Sequence, residues 1–231
     1  MIVLGVLVSG SGTNLQAILD AIDSRTLDAR VAVVVSNVAG APAIDRARLA
    51  GVPAVILEHK HFADRRAFDT AIAQTLRSHG VEIVVLAGFM RILSEVLLDA
   101  FPQRIVNVHP SLLPAFPGVR AQDQALQYGV RIAGCTVHLV DGGTDTGPIV
   151  AQAAVPVLDD DDPNRLGTRI LAKEHELLPR VLQWMAEGRV IVEPAVAAGR
   201  RPRVRIQGTD AAAADVEGVS TAAQTRLHVE D

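Results

Sequence analysis

Short aliphatic, β-branched runs alternate with amphipathic stretches over the first 110 or so residues, and this rhythm restricts the fold more than any other feature of the chain. Residues 2–8, 31–35, 54–57, 83–87 and 105–108 read as strands that are apolar on both faces rather than alternating. Such strands belong to a parallel sheet covered above and below. Between them, residues 14–24 gather Leu15, Ile18, Leu19 and Ile22 on one helical face, and residues 42–50 form a helix ended by Gly51. Residues 65–79 present Phe68, Ile72 and Leu76, with Gly80 as C-cap, and residues 94–100 form a shorter helix. Strand–helix alternation of this kind predicts a doubly wound α/β fold, with a mostly parallel sheet and helices on both faces.

The texture then changes. A helix is expected over 122–128, and strands over 135–139 and 149–157 close a mixed C-terminal edge. Four aspartates, 159–162, precede Pro163 and a long helix over 164–187 carrying Leu166, Ile170, Leu171, Leu178, Val181 and Met185. Carboxylates ahead of a first-turn proline complement the positive end of a helix, which explains the aspartates without a metal. Past Gly199 come Arg200, Arg201, Arg203 and Arg205, then an Ala/Thr/Gly/Asp stretch with no periodicity. The expectation is one domain over 1–198, followed by a solvated Arg-rich arm and a disordered tail over 199–231.

Composition excludes several function classes. With 22 basic and 26 acidic residues the formal charge is −4, so no global field draws the chain to nucleic acid or anionic lipid. Aromatic residues make up 3%, too few for a base-stacking platform. The single cysteine, Cys135, can form neither an internal disulfide nor a multi-cysteine zinc site, and no metal is expected. The apolar start lacks preceding basic residues and a cleavage pattern, and no run is long enough to span a bilayer. A cytoplasmic protein without membrane or nucleic-acid partners is expected; no sequence pattern fixes the number of subunits.

Two segments carry chemistry. The first is Ser9-Gly10-Ser11-Gly12-Thr13-Asn14, between the first strand and the first helix. Glycines let the backbone turn tightly toward a ligand, and the helix beyond offers unpaired N–H groups suited to a phosphate. A dinucleotide fingerprint needs a third glycine, where Leu15 stands, and an acidic residue after the second strand, where Ser36-Asn37 stands. A nucleotide P-loop needs Gly-Lys-Ser/Thr, yet the lysines are Lys60 and Lys173. The loop therefore suits one phosphate, or serves only as a tight turn.

The second is Asn107-Val108-His109-Pro110, where Asn107 and His109 project from the same side of an extended segment. An amide and an imidazole side by side can both donate to an oxyanion, and the imidazole can also move a proton. Downstream, residues 134–139 empty into a Gly-rich loop with Asp141 and Asp145. A carboxylate brought next to His109 would hold a proton on its ring.

These segments, together with residues 84–93 and Asp145-x-Gly147-Pro148, resemble the phosphoribosylglycinamide formyltransferase family, folate-dependent enzymes of purine synthesis. The resemblance runs from about Ile2 to Glu193. It implies that residues 1–198 are a catalytic domain, whose N-terminal half binds the phosphate substrate and whose C-terminal half binds folate. By the same resemblance Gly12, Thr13 and Asn14 hold the phosphate of glycinamide ribonucleotide, and Glu174 its ribose. Arg65, Met90, Arg91, Ile92, Leu93, Val140 and Asp141 match folate contacts, with Asn107 also in reach. Asn107, His109 and Asp145 match the catalytic trio, 10-formyltetrahydrofolate is the implied co-substrate, and Leu113–Pro114 looks like a cis bond. Residues 117–126 lack the histidines some members carry after the glycine.

Other readings stay open on sequence alone. A methionyl-tRNA formyltransferase would be expected to carry a further C-terminal domain and a basic face. A formyltetrahydrofolate deformylase would carry an N-terminal regulatory domain. A non-catalytic nucleotide-sensing module would need the glycine loop but not Asn107, His109 and Asp145 together.

Overall fold

The computed structural model describes residues 1–195 and 201–208. Its elements follow the expected alternation: β1 (Ile2–Val8), α1 (Thr13–Asp23), β2 (Ala29–Ser36), α2 (Pro42–Leu49), β3 (Ala54–Ile56), α3 (Arg65–Ser78), β4 (Ile83–Leu86), α4 (Glu95–Ala100) and β5 (Ile105–His109). They continue with α5 (Ala121–Tyr128), β6 (Ile132–Leu139), β7 (Ile149–Pro156), α6 (Pro163–Ala186), β8 (Val190–Glu193) and β9 (Arg203–Ile206). A seven-stranded sheet runs in the order β3-β2-β1-β4-β5-β6-β7. The first five strands are parallel, and β6 and β7 close the edge antiparallel.

Side chains alternate between two apolar layers. Leu4, Val6 and Val8 of β1, and Val106 and Val108 of β5, pack with Leu15 and Ile18 of α1 and Ile170 and Leu178 of α6. Leu7, Val84, Leu86 and Ile105 face the other way, against Phe68, Ile72 and Leu76 of α3 and Leu97 of α4. Each fully buried Leu, Ile or Phe contributes roughly 1.5–3 kcal/mol, so the two layers fix both faces of the sheet. The alternation that puts Val106 and Val108 into one layer turns Asn107 and His109 to the opposite side. Strand order reverses between β1 and β4, and a crevice at the carboxyl ends of strands is where sheets of this kind bind ligands.

Two local features differ from the expectation. Strand β6 begins at Ile132, not at Cys135. Glycine is a poor strand residue in general, but a Cβ on Gly134 would lie 2.0 Å from the Ala153 carbonyl oxygen of β7, so close pairing there requires glycine. The Arg-rich arm is also not simply solvated: Arg203–Ile206 pairs antiparallel with β8. Arg203 and Arg205 face solvent while Val204 and Ile206 pack toward the core, a period of two hidden by the arginine count. The expected tail from 209 onward and Arg200 lie outside the described residues.

The aspartate run does what helix electrostatics suggests. Asp162 caps α6 by accepting from the N–H groups of Asn164 and Arg165, both at 2.8 Å, and Asp161 pairs with Arg169 at 2.7 Å. Among the described residues no group of three or more His, Cys, Asp or Glu is placed to hold a metal ion, and no helix is long and apolar enough to cross a membrane.

Candidate active site

The glycine loop leaves the carboxyl end of β1 and enters α1 through Gly12, whose φ of 71° is left-handed. A Cβ there would lie 2.5 Å from the Ala43 Cβ, so backbone geometry and packing on α2 both demand glycine. Among the described residues no side chain caps α1, which leaves its first-turn N–H groups for a ligand. Ser9 ties neighbouring loops together. Its hydroxyl donates to Asn37 Oδ1 at 2.6 Å after β2 and accepts from the Met90 N–H at 2.9 Å after β4.

Asn14 and Glu174, 160 residues apart in the chain, meet in the fold. Asn14 Nδ2 donates to Glu174 Oε2 at 2.7 Å in a buried contact joining α1 to α6. Burial pushes the Glu174 carboxyl up to about 7, with the Asn14 hydrogen bond pulling the other way. Among the described residues Asn14 Oδ1 is buried without a partner, an acceptor ready for a hydroxyl or N–H donor.

At the end of β5 the three expected catalytic side chains converge. Asp145 Oδ2 lies 3.3 Å from His109 Nδ1, and both side chains are largely buried. The other ring nitrogen of His109, Nε2, lies 2.9 Å from the Phe116 carbonyl, which can only accept; Nε2 therefore carries a proton and Nδ1 faces the carboxylate. Asp145 also accepts from the Gly118 N–H at 2.7 Å. Asp145, Phe116 and Arg120 have left-handed φ values of 53°, 54° and 58°, a concentration of backbone strain in the two loops facing His109.

His138 is the residue that sequence reasoning missed. It pairs with Asn107 across β5 and β6. Its Nδ1 donates to the Leu139 carbonyl at 3.0 Å, leaving Nε2 as an acceptor 3.1 Å from Asn107 Nδ2. His138 thus orients the Asn107 amide, and burial pushes its imidazole below the usual histidine range, toward the neutral form. Its Nε2 is 3.7 Å from Asp145 Oδ1. The available signal was the His138-x-x-Asp141 approach to the loop, but only strand register reveals its partner.

The segment after Phe116, which lacks those histidines, is held by its own side chains. Gln124 Nε2 donates to the carbonyls of Pro117 and Val119 at 3.2 and 2.9 Å, and Arg120 pairs with Asp123 at 3.2 Å, closing the loop. The Leu113–Pro114 bond is cis.

The expected folate residues divide. Met90 and Ile92 are exposed apolar side chains after β4, while Leu93 is buried. Arg91 stacks on the Phe68 ring at 5.2 Å. Val140 packs on the same layer as Leu93, and Asp141 accepts from the Gly143 N–H and the Thr146 hydroxyl. From the C-terminal segment, Arg201 reaches the Thr146 carbonyl at 3.1 Å. Arg65 opens α3 and is exposed; among the described residues no hydrogen bond or ion pair joins it to the others. Cys135 is a buried core residue whose thiol burial pushes up to about 12.

A doubly wound sheet with an amide, an imidazole and a carboxylate at its carboxyl edge defines a class, and the chain belongs to the formyl transferase family, whose model matches residues 3–182. The relatives narrow the class. The chain is 42% identical to the phosphoribosylglycinamide formyltransferase of Bacillus subtilis, over 78% of this chain and 92% of that protein. It is 44% identical to the trifunctional purine biosynthetic protein adenosine-3 of Drosophila melanogaster over 84% of this chain, and spans 14% of that longer protein's length. The crystal structure of glycinamide ribonucleotide transformylase 1 from Symbiobacterium toebii superposes with a TM-score of 0.85 at 53% identity, covering 89% of this chain and 94% of that one.

Proposed function

We propose that this chain transfers a formyl group from 10-formyltetrahydrofolate to the amine of glycinamide ribonucleotide, as a soluble cytoplasmic enzyme of purine synthesis. The observation that carries the reading is the 3.3 Å approach of Asp145 to His109, beside Asn107 and on the sheet edge that also holds the glycine loop.

The substrate amine attacks the formyl carbon, the carbonyl oxygen becomes an oxyanion, and the bond from carbon to the folate nitrogen then breaks. Asn107, its amide oriented by His138, and the His109 ring held beside Asp145 stabilise that oxyanion. Such donors act in place, without reorganising as charge develops. The His109–Asp145 pair takes the proton lost by the amine and returns one to the departing folate nitrogen, so protons balance over the cycle. The first-turn N–H groups of α1 hold the substrate phosphate, and Glu174 with Asn14 receives its ribose hydroxyls. Met90 and Ile92 offer an apolar wall to the flat pterin.

The test is a formyl-transfer assay with purified protein and 10-formyltetrahydrofolate, run with glycinamide ribonucleotide, with methionyl-tRNA and with neither. Formylated ribonucleotide with equimolar tetrahydrofolate is expected. Release of formate without acceptor would identify a deformylase, transfer only to methionyl-tRNA the tRNA enzyme, and no turnover at all a non-catalytic binding module.

A further inference from the structure

The loop read above as a phosphate cradle is held from behind by a residue that no part of the reaction explains. Arg46 lies on the α2 face that packs under the loop, half-buried. Its Nε donates to the Ser11 carbonyl at 2.9 Å, and one terminal nitrogen donates to Gln16 Oε1 on α1 at 3.2 Å. Gln16 Nε2 in turn donates to Asp20 at 2.8 Å. One residue earlier in the loop, the Gly10 carbonyl accepts from the Ala43 N–H at 3.2 Å. Two successive loop carbonyls are therefore turned toward α2.

A trans peptide holds each carbonyl opposite to the N–H that follows it. With the carbonyls of Gly10 and Ser11 drawn to α2, the N–H groups of Ser11 and Gly12 must point away from it. Fixing those two dipoles in advance removes the cost of ordering them when an anion arrives. A glycine-rich segment otherwise has the most backbone freedom to lose.

We propose that Arg46 is a positioning residue for ribonucleotide binding: through Nε it clamps the Ser11 carbonyl against α2 and so presents the N–H groups of Ser11 and Gly12 to the substrate phosphate. This rests on the loop being the phosphate cradle. The role belongs to the donor at Nε and not to the positive charge, which makes it separable. In glutamine the amide nitrogen occupies the chain position of arginine Nε, so Arg46→Gln keeps the clamp without the charge. Arg48, on the same helix but exposed and paired with Asp45 at 3.3 Å, is the matched control.

The experiment compares Arg46→Ala, Arg46→Gln and Arg48→Ala. Arg46→Ala is expected to raise KM for glycinamide ribonucleotide about tenfold, with kcat and the folate KM within about twofold. Arg46→Gln and Arg48→Ala are expected to stay near the parent. Amide hydrogen exchange gives a readout without substrate. The Ala43 amide should exchange about tenfold faster in Arg46→Ala alone, because its bond to Gly10 depends on the docked loop. An unchanged KM and unchanged Ala43 exchange in Arg46→Ala overturn the proposal. So does an equal rise in both substrates' KM, or an Arg46→Gln variant as impaired as Arg46→Ala. Failure of the parent protein to formylate the ribonucleotide, with Ala43 exchange still responding to Arg46→Ala, would remove the proposed reaction and leave the clamp standing.

Discussion

Asn107 and His138 are partners in the antiparallel register of β5 and β6, and their side chains touch at 3.1 Å between Nδ2 and Nε2. The amide of Asn107 can rotate about its terminal bond at little cost, so the accepting nitrogen of His138 decides which of its atoms is the donor. Replacing His138 by Phe keeps the ring volume and removes that acceptor. The expected result is a fall in kcat of about tenfold or more, with the ribonucleotide KM changed less than threefold. A kcat equal to the parent's would show that Asn107 needs no such support.

The contact between His109 and Asp145 leads to a second outcome. Asp145→Asn retains an oxygen to accept from the Gly118 N–H, so the loop keeps its shape while the carboxylate is lost. His109→Ala removes the donor itself. Each is expected to lower kcat by about 10²–10³, with the ribonucleotide still bound at near-parent affinity by calorimetry. Near-normal turnover in His109→Ala would end the assignment.

Gly12→Val tests the loop from its front. The 2.5 Å approach to the Ala43 Cβ and the left-handed φ of 71° leave no room for a branched side chain. The loop must lift from α2, so the ribonucleotide KM should rise at least thirtyfold while the folate KM moves by less than threefold. Steady-state kinetics with each substrate varied in turn reads the split directly.

Glu174 gives the pH dependence. Its carboxyl is raised to about 7 by burial, so it gains charge across the neutral range. Ribose hydroxyls donate better to a carboxylate than to a carboxylic acid, so the ribonucleotide KM should rise as pH falls through 7, and Glu174→Gln should flatten that profile. The stability consequence has the opposite sense. Between 4.5 and about 7 the folded state binds the extra proton, so the contribution is present at low pH and is lost as pH rises. Its size is about 3 kcal/mol at most, and Glu174→Gln should unfold at higher denaturant than the parent at pH 8, but not at pH 5.

How much of this was legible in the sequence depends on how far apart the cooperating residues lie. Apolar periodicity is local, so the runs from Ile2 to Val8 and from Ile83 to Leu86 declared themselves as buried strands, and Leu15 and Ile18 declared one helical face. The spacing of Asn107 and His109 likewise placed both on one side of β5, because strand side chains alternate whatever the partner strand. The Gly-rich loop offered Asp141 and Asp145 as carboxylates that could meet His109, whereas the choice of Asp145 and the role of Glu174 came from the family resemblance alone. Tertiary structure alone decided what those groups meet. His138 faces Asn107 only because β6 runs antiparallel to β5 in a particular register, and a slip of one residue would turn it to the other face. Arg46 reaches Ser11 only because α2 packs under the loop. Strand β9 exists only because β8 gives Val204 and Ile206 a partner and a core to cover. Periodicity is written into neighbouring residues, whereas a contact between distant ones depends on the pairing and packing of whole elements, which no single segment encodes.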